Sequence, residues 1–233
     1  MTRDEQFVLF HDNALDCRTD GSGRVSDHVL ADLQTLDAGY GYTADGGATF
    51  PLRGKGVGLI PSLAEVLSQF PRTRFLVQIK DGAAVTAPLI AMLDAQQPAP
   101  WGRLTFFGSP GALRRLQKLK PGADTWSAHA VQQCGVGYLE TGWYAHVPRV
   151  CDDGMIIVPI QQAYLLWGWP NRFLARMHEH RTRVMLIGKI QSLSSGSFSR
   201  LDSPNDLSEV PQGFDGLIWT DRIDVIGPLV AQK

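Results

Sequence analysis

His11 stands directly after the apolar run Phe7–Phe10, and Lys80 closes a second such run, "FLVQIK". Imidazole takes up and releases a proton near neutral pH, and a lysine ammonium is a compact cation suited to a phosphate or carboxylate oxygen. In parallel α/β folds the carboxyl ends of strands face the site, because the loops there vary while the scaffold is fixed. The pair predicts acid–base chemistry on an anionic group. The competing reading is a structural or solvated role for each, since a single His or Lys at a strand end is common.

Other chemistry-bearing residues carry less. Asp12 reads as the start of a turn, and Asp16, Arg18 and Asp20 as a solvated ion-pair cluster that contributes little. In "WGWPNRFLARM", Trp167 and Trp169 read as core packing or loop anchors, with stacking on a sugar or glycerol face as the alternative. Trp219, in "GLIWT", is a candidate for the substrate pocket; Asp221 is a rim residue or an acid at a helix N-terminus. His28, His129, His146, His178 and His180 share no metal-ligand spacing.

These groups need a scaffold. A chain of 233 residues, 44% hydrophobic and 19% charged, can bury a sizeable core and is expected to form a single domain over 1–233. With 22 basic and 23 acidic residues no global field gathers nucleic acid or an anionic membrane, so a small molecule is the expected partner. No stretch reaches the roughly 20 apolar residues of a membrane span, and no signal peptide is evident; a cytoplasmic location follows if Met1 is the natural start. Cys17, Cys134 and Cys151 show no paired spacing and read as buried, inert thiols without a disulfide.

Apolar periodicity predicts a strand at Phe7–Phe10, a helix from Val25 with Ser26 as its N-cap, and a long glycine-rich loop from Tyr40 to Gly58. Ser62 and Glu65 form a capping-box pattern ahead of "LAEVLSQF". "FLVQIK" reads as a strand buried on both faces, with a helix from Ala83 to Ala95. Further strands are expected at Leu104–Phe107, Thr125–Ser127, "MIIVPI", "RVMLIGKI" and "GLIWT", and helices at Gly111–Leu119 and "NRFLARMHEH". The alternation predicts an α/β domain with a parallel sheet, barrel or doubly wound, and no dinucleotide fingerprint follows an early strand.

The stretch "TRDEQFVLFHDNALDCRTDGSGRVSDHVLADLQTLDAG", then "IPSLAEVLSQF" and "FLVQIK", resembles the glycerophosphodiester phosphodiesterase family, within the phospholipase C-like phosphodiesterases. "GFDGLIWTDRID" resembles the family's closing strand, with Ile223 where proline is usual. The resemblance implies a (β/α)8 TIM barrel that hydrolyses a glycerophosphodiester to glycerol 3-phosphate and an alcohol, with a divalent cation, Ca2+ or Mg2+, as cofactor. It assigns His11 to the second family histidine as catalytic acid or base, Lys80 to phosphate binding and Gln78 to the position of a metal-binding Glu.

Three family features are missing. The first histidine's H-R-G strand and the E-x-D strand would precede Thr2, so the barrel is expected to be incomplete at its N-terminus, and Gln78 lacks the charge of a carboxylate. The expected function is therefore glycerophosphodiester hydrolysis, with a non-catalytic barrel remnant that binds a glycerol phosphate-like anion or a protein as the alternative.

Overall fold

Four apolar residues pair only where a neighbouring backbone offers matching groups. In the computed structural model, which describes residues 1–43, 45–192 and 197–230, Phe7–Phe10 is not a strand. Val8 makes one antiparallel bridge to Ser62, supported by Leu9 N–H to Pro61 O (3.0 Å) and Leu63 N–H to Phe7 O (2.7 Å). The helix expected at Val25 is also replaced: a 3-10 turn, Val25–Asp27, precedes a single turn of α-helix, α1 (Leu30–Leu33). Ser26 does not cap it. The carboxylate of Asp4 does, accepting the Leu30 N–H at 3.1 Å, a long-range donor–acceptor pair that local spacing does not reveal.

The loop that follows α1 is irregular, as its glycines predict. Asp37 ties it together by accepting the N–H groups of Gly39 (2.9 Å), Gly54 (2.6 Å) and Gly56 (2.9 Å). A Cβ on Gly56 would lie 2.3 Å from the Gly39 nitrogen, so the close approach requires glycine there.

Helix α2 (Leu63–Gln69) starts with the predicted capping box. Ser62 Oγ accepts the Glu65 N–H at 3.1 Å, Glu65 Oε2 accepts the Ser62 N–H at 2.7 Å, and Gln34 donates to the same carboxylate at 3.0 Å. These bonds, that from the Ser62 backbone first, hold the Glu65 carboxyl below its ordinary range. A group with a depressed folded pKa stabilises above its unfolded value and loses that contribution as pH falls through the folded one. Ser62→Ala should therefore cost about 1–2 kcal/mol at neutral pH, and the difference between the two proteins should shrink as Glu65 protonates, read by denaturant unfolding at neutral pH and at a pH below the carboxylate range.

Within Met1–Thr125, one of two compact units, β1 (Phe75–Ile79), β2 (Leu104–Gly108) and β3 (Asp124–Thr125) pair in parallel in that order. Helices α3 (Thr86–Asp94) and α4 (Pro110–Leu119) bury Leu89, Leu93, Leu113 and Leu116 against Leu104 and Phe106. β1 is not buried on both faces: Leu76 is 40% exposed and Gln78 is exposed. It ends its sheet, with only β2 as a neighbour among the described residues.

Within Trp126–Lys233, the second unit, the elements are α5 (Ala128–Thr141), β4 (Met155–Pro159), α6 (Asn171–Glu179), β5 (Arg183–Ile187), β6 (Ile190–Ser192), β7 (Ser197–Phe198), β8 (Leu217–Ile218) and α7 (Ile223–Val230). β4, β5 and β8 form a parallel sheet, and β6 pairs antiparallel with β7. One side chain set of β4 and β5, Ile156, Val158, Val184 and Leu186, packs with Tyr138, Phe173 and Met177 of the helices. The alternate set, Met155, Met185 and Ile187, forms a separate cluster with Trp126, Phe198 and Trp219. No helix among the described residues is long and apolar enough to cross a membrane.

The cysteine expectation is overturned. Cys134 and Cys151 are disulfide-bonded across 17 residues of sequence, with Cα atoms 5.0 Å apart. The bond joins α5 to the turn ahead of β4. Spacing alone misses it because a long helix carries Cys134 back to its partner. Cys17 is free and exposed rather than buried.

Candidate active site

The backbone of β1 brings Lys80 to the end of a strand, and the bridge at Val8 carries the 7–14 segment past the same end. Both line one cavity of about 800 Å³. Its polar lining includes His11, Asp12, Arg24, Gln78 and Lys80; Phe10, Leu63, Val66, Val77 and Leu89 supply apolar lining. The structure thus brings together His11, Lys80 and Gln78. Direct contact joins the first two, since the Lys80 ammonium donates a hydrogen bond to the His11 main-chain oxygen.

The His11 side chain is 78% exposed. Its Nδ1 lies 2.6 Å from Asp12 Oδ1, and Arg18 Nε donates to Asp12 Oδ2 at 3.0 Å. The bond to His11, then that to Arg18, holds the Asp12 carboxyl below its ordinary range, so it is ionised at neutral pH. Asp12 is more than a turn residue, and Arg18 pairs with it rather than with Asp16 or Asp20. The adjacency in "HD" was the sequence signal for the first contact. Nothing in the spacing signalled Arg18, which reaches Asp12 because Leu15 O accepts the Arg18 N–H at 3.1 Å and the chain turns back.

The donors near Gln78 do not fit a divalent cation. A hard cation takes several oxygen ligands, with carboxylates supplying most of the charge. Here both Asp12 oxygens are engaged by His11 and Arg18, and Gln78 offers one neutral amide. Among the described residues no three His, Cys, Asp or Glu side chains gather as metal ligands.

Trp219 lies in the second unit, where its ring meets Phe198 edge-on at 5.2 Å within the Met155, Met185 and Ile187 cluster. Trp167 anchors its loop: its indole donates to Leu139 O at 3.0 Å, and its own carbonyl accepts from the Tyr138 hydroxyl at 2.7 Å. Trp169 packs on Phe173 at 5.5 Å. Asp221 pairs with Arg200 at 3.0 Å. A second His–Asp contact, His180 Nδ1 to Asp152 Oδ1 at 2.7 Å, sits beside the Arg181–Asp153 ion pair.

Residues 1–91 match the sequence model of the Glycerophosphoryl diester phosphodiesterase family. A glycerophosphodiester phosphodiesterase of Bacillus subtilis (strain 168) is 42% identical over 73 residues, 30% of this chain and 24% of that protein. The match thus spans about a quarter of the length of that curated relative. Among solved structures, the glycerophosphoryl diester phosphodiesterase domain of a Mycobacterium tuberculosis protein aligns with 100% of this chain and 84% of its own, at TM-score 0.66 and 17% identity. An Oleispira antarctica phosphodiesterase, solved in complex with the product sn-glycerol-3-phosphate, aligns with 99% of this chain and 82% of its own, at TM-score 0.60 and 20% identity. At such identities the likeness is one of fold, and the α/β class read from the strand–helix alternation is the class observed.

Proposed function

We propose, from the match of residues 1–91 to the Glycerophosphoryl diester phosphodiesterase family, that the cavity shared by His11 and Lys80 is the site of glycerophosphodiester hydrolysis to glycerol 3-phosphate and an alcohol. The observation that carries this reading is the direct contact between the Lys80 ammonium and the backbone of His11 at one cavity. A proton-transfer group and a cation adjacent to each other are what cleavage of an anionic ester requires.

Water attacks phosphorus and gives up a proton to solvent, the bond from phosphorus to the alcohol oxygen breaks, and His11, protonated at Nε2, gives that proton to the departing alkoxide and takes another from solvent. Lys80 exchanges the His11 carbonyl for a phosphate oxygen and offsets charge that builds there. A cation, Ca2+ or Mg2+, would spread that charge further, but the donors around Gln78 do not fit one, so no step is routed through it.

The test is incubation of the chain with glycerophosphocholine, with and without Ca2+ or Mg2+, together with titration by sn-glycerol 3-phosphate. The product should bind, and Lys80→Ala should weaken it by about tenfold, the loss of one charge-assisted hydrogen bond. Release of glycerol 3-phosphate should be far slower than the roughly 10 s⁻¹ median of enzymes. A parent chain that neither binds the product nor releases it would sink the proposal.

A further inference from the structure

We infer that Asp12 is a positioning residue for His11, holding the imidazole with its proton on Nδ1 and its Nε2 lone pair free, and that Arg18 holds Asp12 in place; this rests on the hydrolytic reading of the site. The distinguishing observation is where the carboxylates of this segment direct their oxygens. Asp16 accepts the Gly23 N–H at 3.1 Å, Asp20 the Asp37 N–H at 2.8 Å, and Asp37 three glycine amides. Each of those braces main chain, as aspartates in turns do. Asp12 does not. Its two oxygens meet two side chains, His11 Nδ1 at 2.6 Å and Arg18 Nε at 3.0 Å.

Stability does not account for that arrangement. The His11 side chain is 78% exposed and that of Arg18 53%, and ion pairs between exposed groups contribute little. Orientation does. An ionised carboxylate is an acceptor only, so the nitrogen facing it must carry the hydrogen, and the bond made by one ring nitrogen fixes the state of the other. Nε2 is left as the atom able to accept a proton and, once protonated, to donate it.

Arg18 is itself held from both sides. Its N–H donates to Leu15 O at 3.1 Å, and its carbonyl accepts the Gly41 N–H at 3.2 Å. A Cβ on Gly41 would lie 1.9 Å from the Cys17 carbonyl oxygen, so only glycine permits that approach. The support therefore runs from the 40–58 loop through Arg18 and Asp12 to the ring. Until it turns to a phosphate oxygen, the Lys80 ammonium secures the His11 main chain, and Arg24 and Asp81 are the other charged side chains lining the cavity.

The test reads the tautomer directly, by long-range proton–nitrogen NMR on the full ¹⁵N-labelled chain at a pH where the imidazole is neutral, with His11→Ala to assign the signal. His129 and His178, both exposed, serve as internal references. His11 should show the Nδ1–H form favoured by at least about tenfold. In Asp12→Ala it should revert to the Nε2–H-rich mixture of the references. Arg18→Gln, which leaves the Asp12 side chain intact, should lower the Nδ1–H share in the same direction and carries the test if Asp12→Ala fails to fold. A parent His11 already in the Nε2–H form, or a tautomer unmoved by both substitutions, overturns the inference. Product release from glycerophosphocholine is read on the same samples: a tautomer as expected with no release by any form tells against hydrolysis and leaves the positioning role standing.

Discussion

Replacing His11 with alanine should lower the rate of glycerol 3-phosphate release by about 10²- to 10⁴-fold, the range that a positioned proton donor contributes. Binding of sn-glycerol 3-phosphate should change only a few-fold, because Lys80 and not His11 supplies the cation. The split follows from geometry. The ring is largely exposed and belongs to none of the hydrophobic clusters, so its removal leaves no core cavity; its main-chain oxygen, the group that Lys80 contacts, survives the substitution. Alanine at position 11 should accordingly leave the unfolding midpoint within experimental scatter while the rate collapses. The measurements are initial rates with glycerophosphocholine, product titration and thermal unfolding on one preparation. Rates equal in the parent and the variant would remove His11 from the chemistry.

The same residues show how far sequence reaches into such a site. His11 and Lys80 stood out because both follow short apolar runs, and the cavity does gather them, even though the first of those runs is a single bridge and not a strand. Their support was out of reach. Arg18 meets Asp12 only after the turn from Leu15 to Thr19 has formed, and the turn depends on Gly41 from a distant loop. Residue types announce chemistry, whereas the contacts that orient them are long-range products of folding.

The fold divides along similar lines. Strong local signals held: the Ser62–Glu65 box opens α2, and near-continuous apolar runs became β2, β4 and β5. Weak or conflicting ones failed. α5 was hidden by Gly135 and Gly137, which disfavour a helix, although Ser127 caps it by accepting the Ala130 N–H at 3.1 Å and Cys134 and Tyr138, four residues apart, share its buried face. The apparent both-face burial of β1 comes from four apolar residues, Phe75, Leu76, Val77 and Ile79, whose actual environment depends on which neighbours a strand has, a property of the sheet and not of the segment.

Removal of the Cys134–Cys151 bond should be the largest single loss of stability in the chain. Both residues are fully buried in the cluster formed by Tyr138, Val147, Ile156 and Phe173, so the bond sits inside packed core. Closing a loop of that length restricts the unfolded chain by about 3 kcal/mol in the chain-entropy account. Cys134→Ala/Cys151→Ala also removes two buried sulfur atoms from contact with their neighbours, a packing loss in the same direction. Serine would be a poorer probe, since it would place hydroxyls where no hydrogen-bond partner is assured. A loss of this size lowers the unfolding midpoint by roughly 10 °C in a protein of this length. The damage should be local. Hydrogen exchange should quicken in α5 and β4, whereas the amides of β1, β2 and α2, which belong to the other compact unit, keep their protection. Thiol titration gives an independent count: one reactive thiol, the exposed Cys17, in the native chain, and three after reduction and unfolding. Three thiols in the unreduced chain, or a double-alanine variant with the parent's midpoint, would show that the two cysteines contribute as separate core residues and that α5 is held by packing alone.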